Sequence, residues 1–260
     1  MKKFLTIAGS DSSGGAGIQA DLKTAAAHGV YGMSVITALT AQNTTGVFGV
    51  SSVSGEFVKA QAKAVFEDIF PDAVKIGMVF SEEIINATAE ILSEYKPPHI
   101  VCDTVMVATS GSTLLEKSAE KALTEQLFPL AEIITPNIPE AEILSGMSIS
   151  SRSEMEKAGI VISRKFGCSV LVKGGHLSDT ADDILFEKGE VSEVFGGIHI
   201  DNPNTHGTGC TLSSAIACNL ALGYSLRDSV KNAKDYVAGA IAYGLDLGKG
   251  SGPLNHMYKL

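Results

Sequence analysis

One pattern repeats along most of the chain: a short apolar run, a turn rich in glycine or polar residues, and a segment with helical periodicity. The runs that indicate buried strands span residues 3–9, 34–40, 73–78, 99–103, 132–135 and 168–173. The predicted helices cover about 16–28, 54–69, 81–94, 115–128, 209–222 and 226–243. This alternation predicts an α/β fold with a mostly parallel sheet and helices on both faces. Because parallel strands end at one edge of the sheet, the turns after them predict a ligand site there.

The whole chain fits one domain of this kind. Its 260 residues are 45% hydrophobic, which is enough for a large core, and no proline- or serine-rich linker interrupts them. Two alternating runs over residues 184–195 predict a β-hairpin at an edge of the sheet. We therefore expect a single domain over residues 1–260.

Charge and hydropathy narrow the possible partners. The net charge is −9 and the pI is about 5.1, which argues against nucleic acid and anionic membranes as partners. No stretch has the length of a transmembrane helix, and the apolar run after Met1 is too short for a signal peptide. The four cysteines lack metal-type spacing, and three lie in apolar runs typical of buried thiols. These features predict a cytoplasmic protein.

The stretch Asn204-Thr205-His206-Gly207-Thr208-Gly209-Cys210-Thr211 is the strongest candidate for an anion site. Its glycines permit a sharp turn, and the small and apolar residues that follow predict a buried helix. The N-terminus of a helix offers unpaired N–H groups and a partial positive charge, both of which favour a phosphate. The same field predicts a lowered pKa for the thiol of Cys210. The alternative is an ordinary glycine turn before a core helix.

A second glycine-rich loop, residues 9–17, follows the first predicted strand. It is not a Walker A loop, because no lysine occurs before Lys23. The segment Gly15-Ala16-Gly17-Ile18-Gln19-Ala20 fits the dinucleotide pattern, but the acidic residue expected near residues 41–43 is missing. A Rossmann oxidoreductase is therefore disfavoured.

Polar side chains after other strands are further candidates. Gln42 and Asp103 each follow a predicted strand, and Lys173 ends another, where it could neutralise a phosphate. Asn137 and Glu140 suit a magnesium ion with its waters, although a capping box explains the pair equally well. Residues 104–113 suit a mobile lid or an idle surface loop.

Seven motifs together resemble a known family, the hydroxymethylpyrimidine/phosphomethylpyrimidine kinases of thiamine biosynthesis, within the ribokinase-like superfamily. The motifs, collinear over nearly the whole chain, are Ala8-Gly9-Ser10-Asp11-Ser12-Ser13-Gly14-Gly15-Ala16-Gly17-Ile18-Gln19-Ala20-Asp21-Leu22-Lys23, Thr37-Ala38-Leu39-Thr40-Ala41-Gln42-Asn43-Thr44, Lys75-Ile76-Gly77-Met78, Asp103-Thr104-Val105-Met106, Ile134-Thr135-Pro136-Asn137-Ile138-Pro139-Glu140, Lys173-Gly174-Gly175-His176 and His206-Gly207-Thr208-Gly209-Cys210-Thr211. The resemblance implies a three-layer α/β/α sandwich. It also implies phosphate transfer from MgATP to hydroxymethylpyrimidine and then to its monophosphate, and a homodimer.

The resemblance assigns roles to individual residues. Those expected around the pyrimidine are Gly9, Asp21, Gln42, Met78, Val105 and Cys210, with Cys210 as the catalytic base. Those expected at the nucleotide and Mg²⁺ are Asp103, Asn137, Glu140 and Lys173, with Lys173 also catalytic. The expected anion hole is Gly207, Thr208 and Gly209.

Two departures from the family pattern leave alternatives open. Many relatives carry a lysine in the lid where this chain has Thr109, and most of the superfamily has aspartate where Cys210 stands. A pyridoxal kinase of the same fold is the nearest alternative, although the matching lid position here is Ala108 rather than cysteine. A cysteine acyl hydrolase that uses Cys210 with His206, and a non-catalytic nucleotide-binding regulator, are the other two.

Overall fold

A computed structural model describes residues 1–106, 117–175, 182–197, 200 and 202–259. Within them one sheet has the strand order β3-β2-β1-β4-β5-β6-β7-β8-β9. Its strands are β1 Lys3–Asp11, β2 Tyr31–Asn43, β3 Gly46–Ser52, β4 Ala73–Ile76, β5 Ile100–Cys102, β6 Ile133–Ile134, β7 Ser169–Lys173, β8 Asp183–Glu187 and β9 Glu190–Phe195. The six strands from β2 across to β7 are parallel, and β3, β8 and β9 run antiparallel at the edges. The predicted α/β fold and the predicted edge hairpin are confirmed.

Helices cover both faces of this sheet. They are α1 Gly17–Ala27, α2 Gly55–Phe66, α3 Glu82–Tyr95, α4 Lys117–Ala122, α5 Ile138–Ser145, α6 Arg152–Phe166, α7 Thr208–Leu222 and α8 Leu226–Ala242. A π-helical turn, Leu123–Leu127, and a 3₁₀ turn, Phe128–Leu130, extend α4. One apolar core joins the sheet to α2 through α6, and a second joins it to α1, α7 and α8. The result is the three-layer arrangement that the resemblance implied.

Short-range signals explain where several helices begin. The hydroxyls of Ser81, Ser151 and Ser225 accept hydrogen bonds from backbone N–H groups at the starts of α3, α6 and α8. Each of these N–H groups would otherwise lack an intrahelical partner. The predicted starts of these helices therefore agree with the structure to within a residue or two.

The hairpin of β2 and β3 was not predicted. β2 extends through Gln42 to Asn43 and pairs with β3, whose residues are mostly exposed. Because β3 has little buried surface, it lacks the apolar alternation by which a half-buried strand is usually recognised. Gln42 consequently lies within a strand, and not in the turn that the sequence suggested.

Two expectations lie partly or wholly outside the described residues. The lid interpretation covers residues 104–113, of which only 104–106 are described, and the comparisons at Ala108 and Thr109 fall beyond them. In the described part of the chain, no helix combines the length and the apolar character needed to span a membrane.

Candidate active site

The candidate residues gather at the carboxyl edge of the parallel strands, as predicted. Asp103 follows β5 and Lys173 ends β7, and the Lys173 Nζ lies 3.3 Å from the Asp103 Oδ1. The start of α7 meets the same point, because a Cβ added to Gly209 would lie 3.6 Å from both the Lys173 Nζ and the Asp103 Oδ2. A lysine ammonium and the N-terminus of a helix therefore converge on one place, which suits the charge of a phosphate.

Neighbouring charges hold the carboxylate and the ammonium ionised. Burial alone would raise the pKa of Asp103, but Lys173 and Lys75 lower it below its usual value. Burial alone would lower the pKa of Lys173, but Asp103 and Glu140 raise it. Thr135 and Ser213 also donate hydrogen bonds to the Asp103 carboxylate, at 3.0 and 3.3 Å. Asp103 is thereby fixed in place beside Lys173.

The capping box that the sequence left open is present at Asn137 and Glu140. The Glu140 N–H donates to the Asn137 Oδ1, and the Asn137 N–H donates to the Glu140 Oε2, each at 2.9 Å. The Glu140 carboxylate also accepts from the Thr104 hydroxyl at 2.7 Å and from the Met106 N–H at 3.3 Å. Glu140 thus anchors the backbone on both sides of Val105.

Burial raises the pKa of Glu140, and the charge of Asp103 raises it further, against the opposing effect of Lys173. The described residues contain no cluster of three or more acidic, histidine or cysteine side chains that could enclose a metal. Magnesium usually needs only one or two carboxylates, with waters and substrate phosphates as its other ligands. Two neighbouring carboxylates with incompletely balanced charge, Asp103 and Glu140, fit such an ion.

Asp21 is not solvated, as its place in a helix had suggested, but fully buried. Its carboxylate accepts hydrogen bonds from the hydroxyls of Thr6 and Ser214, at 2.6 and 2.7 Å, and pairs with the Lys75 Nζ at 3.0 Å. Lys75 is also fully buried, and burial alone would lower its pKa, but Asp21, Cys210 and Asp103 raise it. A lone lysine inside the apolar run Ala73–Ile76 was a signal for this pair that sequence reasoning did not use.

The predicted low pKa of the Cys210 thiol is wrong for this structure. Burial raises the pKa of Cys210 to about 11, although Lys75 and a hydrogen bond from the Gly17 N–H both lower it. The loss of hydration outweighs the field of the helix terminus, because a thiolate is poorly stabilised away from water. Cys102, Cys168 and Cys218 are buried free thiols, as predicted.

Close packing explains the glycines of the loop over residues 9–17. A Cβ on Gly17 would overlap the Gly9 carbonyl oxygen, and one on Gly9 would meet the end of the Met78 side chain. Gly17 also has a φ of 56°, a conformation that favours glycine. The loop can therefore bring Gly9, Met78 and Cys210 near one another, as the resemblance implied.

The anion-hole candidates lie at the first turn of α7. Gly207, the N-cap, has a φ of 85°, and a Cβ there would overlap the Gly15 carbonyl oxygen. The Thr208 N–H and hydroxyl both donate to the Thr205 carbonyl, at 3.2 and 2.7 Å. Thr208 is thus already engaged within the loop, whereas Gly209 lies beside Lys173.

His206 joins the two glycine-rich loops, a role that sequence reasoning missed. Its Nε2 lies 2.8 Å from the Asp11 Oδ2 and 3.4 Å from the side-chain amide of Gln42. Burial would raise the pKa of Asp11, but hydrogen bonds from His206 and Ser13 hold it well below its usual range. His206 therefore has Asp11 as its partner, and not Cys210 as the hydrolase alternative required.

Comparisons with known proteins agree with this geometry. A family model described as phosphomethylpyrimidine kinase matches residues 11–255. The hydroxymethylpyrimidine/phosphomethylpyrimidine kinase of Rhizobium meliloti is 50% identical over 98% of this chain and 97% of its own. The bifunctional thiamine biosynthesis protein ThiED of Geobacter sulfurreducens is 52% identical over 97% of this chain, which spans about half (52%) of that longer protein.

Solved structures give the same result. The crystal structure of phosphomethylpyrimidine kinase from Clostridium difficile 630 has a TM-score of 0.83 and 51% identity, over 93% of this chain and all of that one. An ADP complex of Bacillus subtilis pyridoxal kinase has a TM-score of 0.92 and 38% identity, over 100% of this chain and 98% of that one. With a family model that spans most of its length and relatives identical at half of all positions, this chain belongs to the phosphomethylpyrimidine kinase family.

Proposed function

We propose that this protein is an ATP-dependent kinase that phosphorylates hydroxymethylpyrimidine and then its monophosphate, in thiamine biosynthesis. The convergence of Lys173, Asp103 and the Gly209 turn at the end of the sheet is the observation that carries the proposal. Phosphoryl transfer depends mainly on positioning and on neutralising the charge of the transferred group. This site supplies a buried ammonium and a helix terminus at one point, which is what that reaction requires.

In the proposed mechanism Lys173 and the turn at Gly207, Thr208 and Gly209 bind the phosphate being transferred. Because Thr208 already donates to the Thr205 carbonyl, Gly209 and the N–H groups that follow it contribute most. The pyrimidine lies near Gly9, Met78 and Val105, with its reacting hydroxyl directed at Cys210.

Cys210 is the proposed acceptor for the proton of the substrate hydroxyl. With a pKa of about 11, its thiol is protonated at neutral pH in the ligand-free site. Lys75 lies on the buried side of Cys210 and lowers that pKa, so it stabilises the thiolate when the thiolate forms. Asp21 has the supporting role of holding Lys75 and neutralising its charge.

ATP is the proposed phosphate donor, supported by the ADP complex of the pyridoxal kinase of Bacillus subtilis. Asp103 and Asn137 are proposed at the nucleotide, and Glu140, through water, at Mg²⁺. Magnesium would balance the charge of the phosphates and of the two carboxylates. The chain's own contribution is to orient those carboxylates, since Glu140 is fixed by Asn137, Thr104 and Met106.

We further propose that residues 1–260 act as one kinase unit and form a homodimer. The hairpin of β2 and β3 leaves Leu39, Val47, Phe48 and Val50 more than half exposed, with Phe48 at 70%. Exposed apolar groups beside an edge strand are typical of a surface that another chain covers. Size-exclusion chromatography with light scattering tests this, and a purely monomeric protein at micromolar concentration would contradict it.

An ADP-release assay tests the proposed activity. Hydroxymethylpyrimidine, its monophosphate and pyridoxal are supplied in parallel with MgATP, and we expect turnover of both pyrimidines. Pyridoxal is included because a pyridoxal kinase aligns with the whole chain. Much faster turnover of pyridoxal than of either pyrimidine would overturn the assignment, and ADP release without any acceptor would indicate a hydrolase.

A further inference from the structure

The carboxylate of Asp11 is surrounded by hydrogen-bond donors. It accepts from the Ser13 N–H and hydroxyl at 2.8 Å each, from the Gly15 N–H at 3.1 Å and from the Ala16 N–H at 2.8 Å. Since an ionised carboxylate only accepts, the His206 Nε2 at 2.8 Å must carry the hydrogen. This contact fixes the tautomer of His206 and the direction of its N–H.

The neighbours of Gln42 then determine the orientation of its side-chain amide. One arm of the amide lies 3.4 Å from the His206 Nε2, and the other lies 3.1 Å from the Thr40 hydroxyl. That hydroxyl gives its single hydrogen to the Ser10 carbonyl at 2.9 Å, so toward Gln42 it can only accept. Every contact has a donor and an acceptor only when the amide oxygen faces His206 and the amide nitrogen faces Thr40.

The supports of this network are rigid. The Ser12 hydroxyl donates to the Gln42 carbonyl and accepts from the Gln42 N–H, at 2.8 and 2.9 Å. The His206 N–H donates to the Gly252 carbonyl at 3.1 Å, and a Cβ on Gly15 would overlap the His206 ring. The histidine therefore has little freedom to turn away from Asp11 and Gln42.

We propose that His206, held by Asp11, is a positioning residue that sets the orientation of the Gln42 amide and thereby the specificity for the edge of the pyrimidine. This inference rests on the proposed function. With one amide hydrogen directed at Thr40 and one lone pair at His206, Gln42 keeps one N–H and one lone pair for a ligand. A 4-aminopyrimidine presents the matching pair, a ring nitrogen that accepts beside an amino group that donates. A 4-oxo analogue presents the reverse pair, which the fixed amide opposes.

The test compares kcat/KM for the 4-amino substrate with kcat/KM for its 4-oxo analogue. The wild type should strongly prefer the amino compound. In His206→Leu the amide can turn over, so we expect the preference to fall by about tenfold or more, in line with the effect of an unsatisfied buried polar group. His206→Gln keeps a donor with similar reach and should retain most of the preference. Asp11→Asn should shift the preference in the same direction as His206→Leu, which provides a second variant if His206→Leu folds poorly.

His99 offers a matched control. Its Nδ1 pairs with the Glu132 Oε2 at 2.7 Å, and both residues precede strands at the opposite edge of the sheet. His99→Leu should leave the preference unchanged. An unchanged preference in His206→Leu, with both rates lowered equally, would overturn the inference and leave the proposed function standing. Failure of the wild type to phosphorylate either pyrimidine would overturn both.

Discussion

The buried pair of Asp21 and Lys75 permits a quantitative prediction. Both side chains are fully buried, and the Lys75 Nζ lies 3.0 Å from each Asp21 carboxylate oxygen. Removing one member leaves the other as an uncompensated charge, which typically costs about 3–5 kcal/mol. Since a domain has only about 5–15 kcal/mol of stability, Lys75→Met should lower the free energy of unfolding by a large fraction. Asp21→Asn should lower it by a similar amount.

The double variant Asp21→Asn/Lys75→Met removes both charges and keeps similar volumes. Neutral replacement of a buried pair is often nearly free of cost, so the double variant should be more stable than either single variant. Urea unfolding followed by circular dichroism measures this, because the chain has no tryptophan for fluorescence. The exposed pair Lys63–Glu67 is the control and should show a coupling below about 1 kcal/mol. Additive losses at Asp21 and Lys75 would refute the argument.

The same double variant separates two roles for Asp21. If Asp21 only holds Lys75, the double variant should keep its pyrimidine KM and lose kcat, because Cys210 no longer has a cation behind it. If Asp21 contacts the pyrimidine, the KM should rise even though stability is restored. Steady-state kinetics at fixed, saturating MgATP distinguishes these outcomes.

Three further variants test the rest of the site. Gln42→Ala should raise the pyrimidine KM while it leaves the KM for ATP nearly unchanged, since an unpaired polar edge costs about 1–3 kcal/mol; equal changes in both would show that Gln42 supports the fold instead. Glu140→Gln should move the magnesium titration of kcat to higher concentration, whereas lower thermal stability with an unchanged titration would mean that Glu140 serves only its capping box. Cys210→Ala should lower kcat by about 10²–10⁴-fold without abolishing it, and Cys210→Asp should retain more activity than Ala; an Ala variant equal to the wild type would remove Cys210 as the base. Because the Cys210 pKa is about 11, the thiolate fraction rises with pH throughout the range below it. The activity of the wild type should therefore increase over pH 6–9 through this group, and a pH profile that is equally steep in Cys210→Ala would contradict its role.

Several features of the fold were predictable from local sequence. The apolar runs identified the parallel strands, and Ser81, Ser151 and Ser225 marked the starts of helices, because strand burial and capping depend on residues close together in the chain. The hairpin strand Gly46–Ser52 was missed because it is held by pairing with β2 and contributes little to the core.

The candidate site divides in the same way. Position after a strand was enough to place Asp103 and Lys173 at one edge of the sheet, since parallel strands bring their ends together. Contacts between distant segments were not predictable: 195 positions separate His206 from Asp11, and 54 separate Lys75 from Asp21. The raised pKa of Cys210 belongs to the same class, because it follows from burial by surrounding elements. Sequence by itself determined which groups reach the site, through spacing along the chain. Only the tertiary structure decided their partners and charge states, because desolvation and pairing arise when segments far apart in sequence pack together.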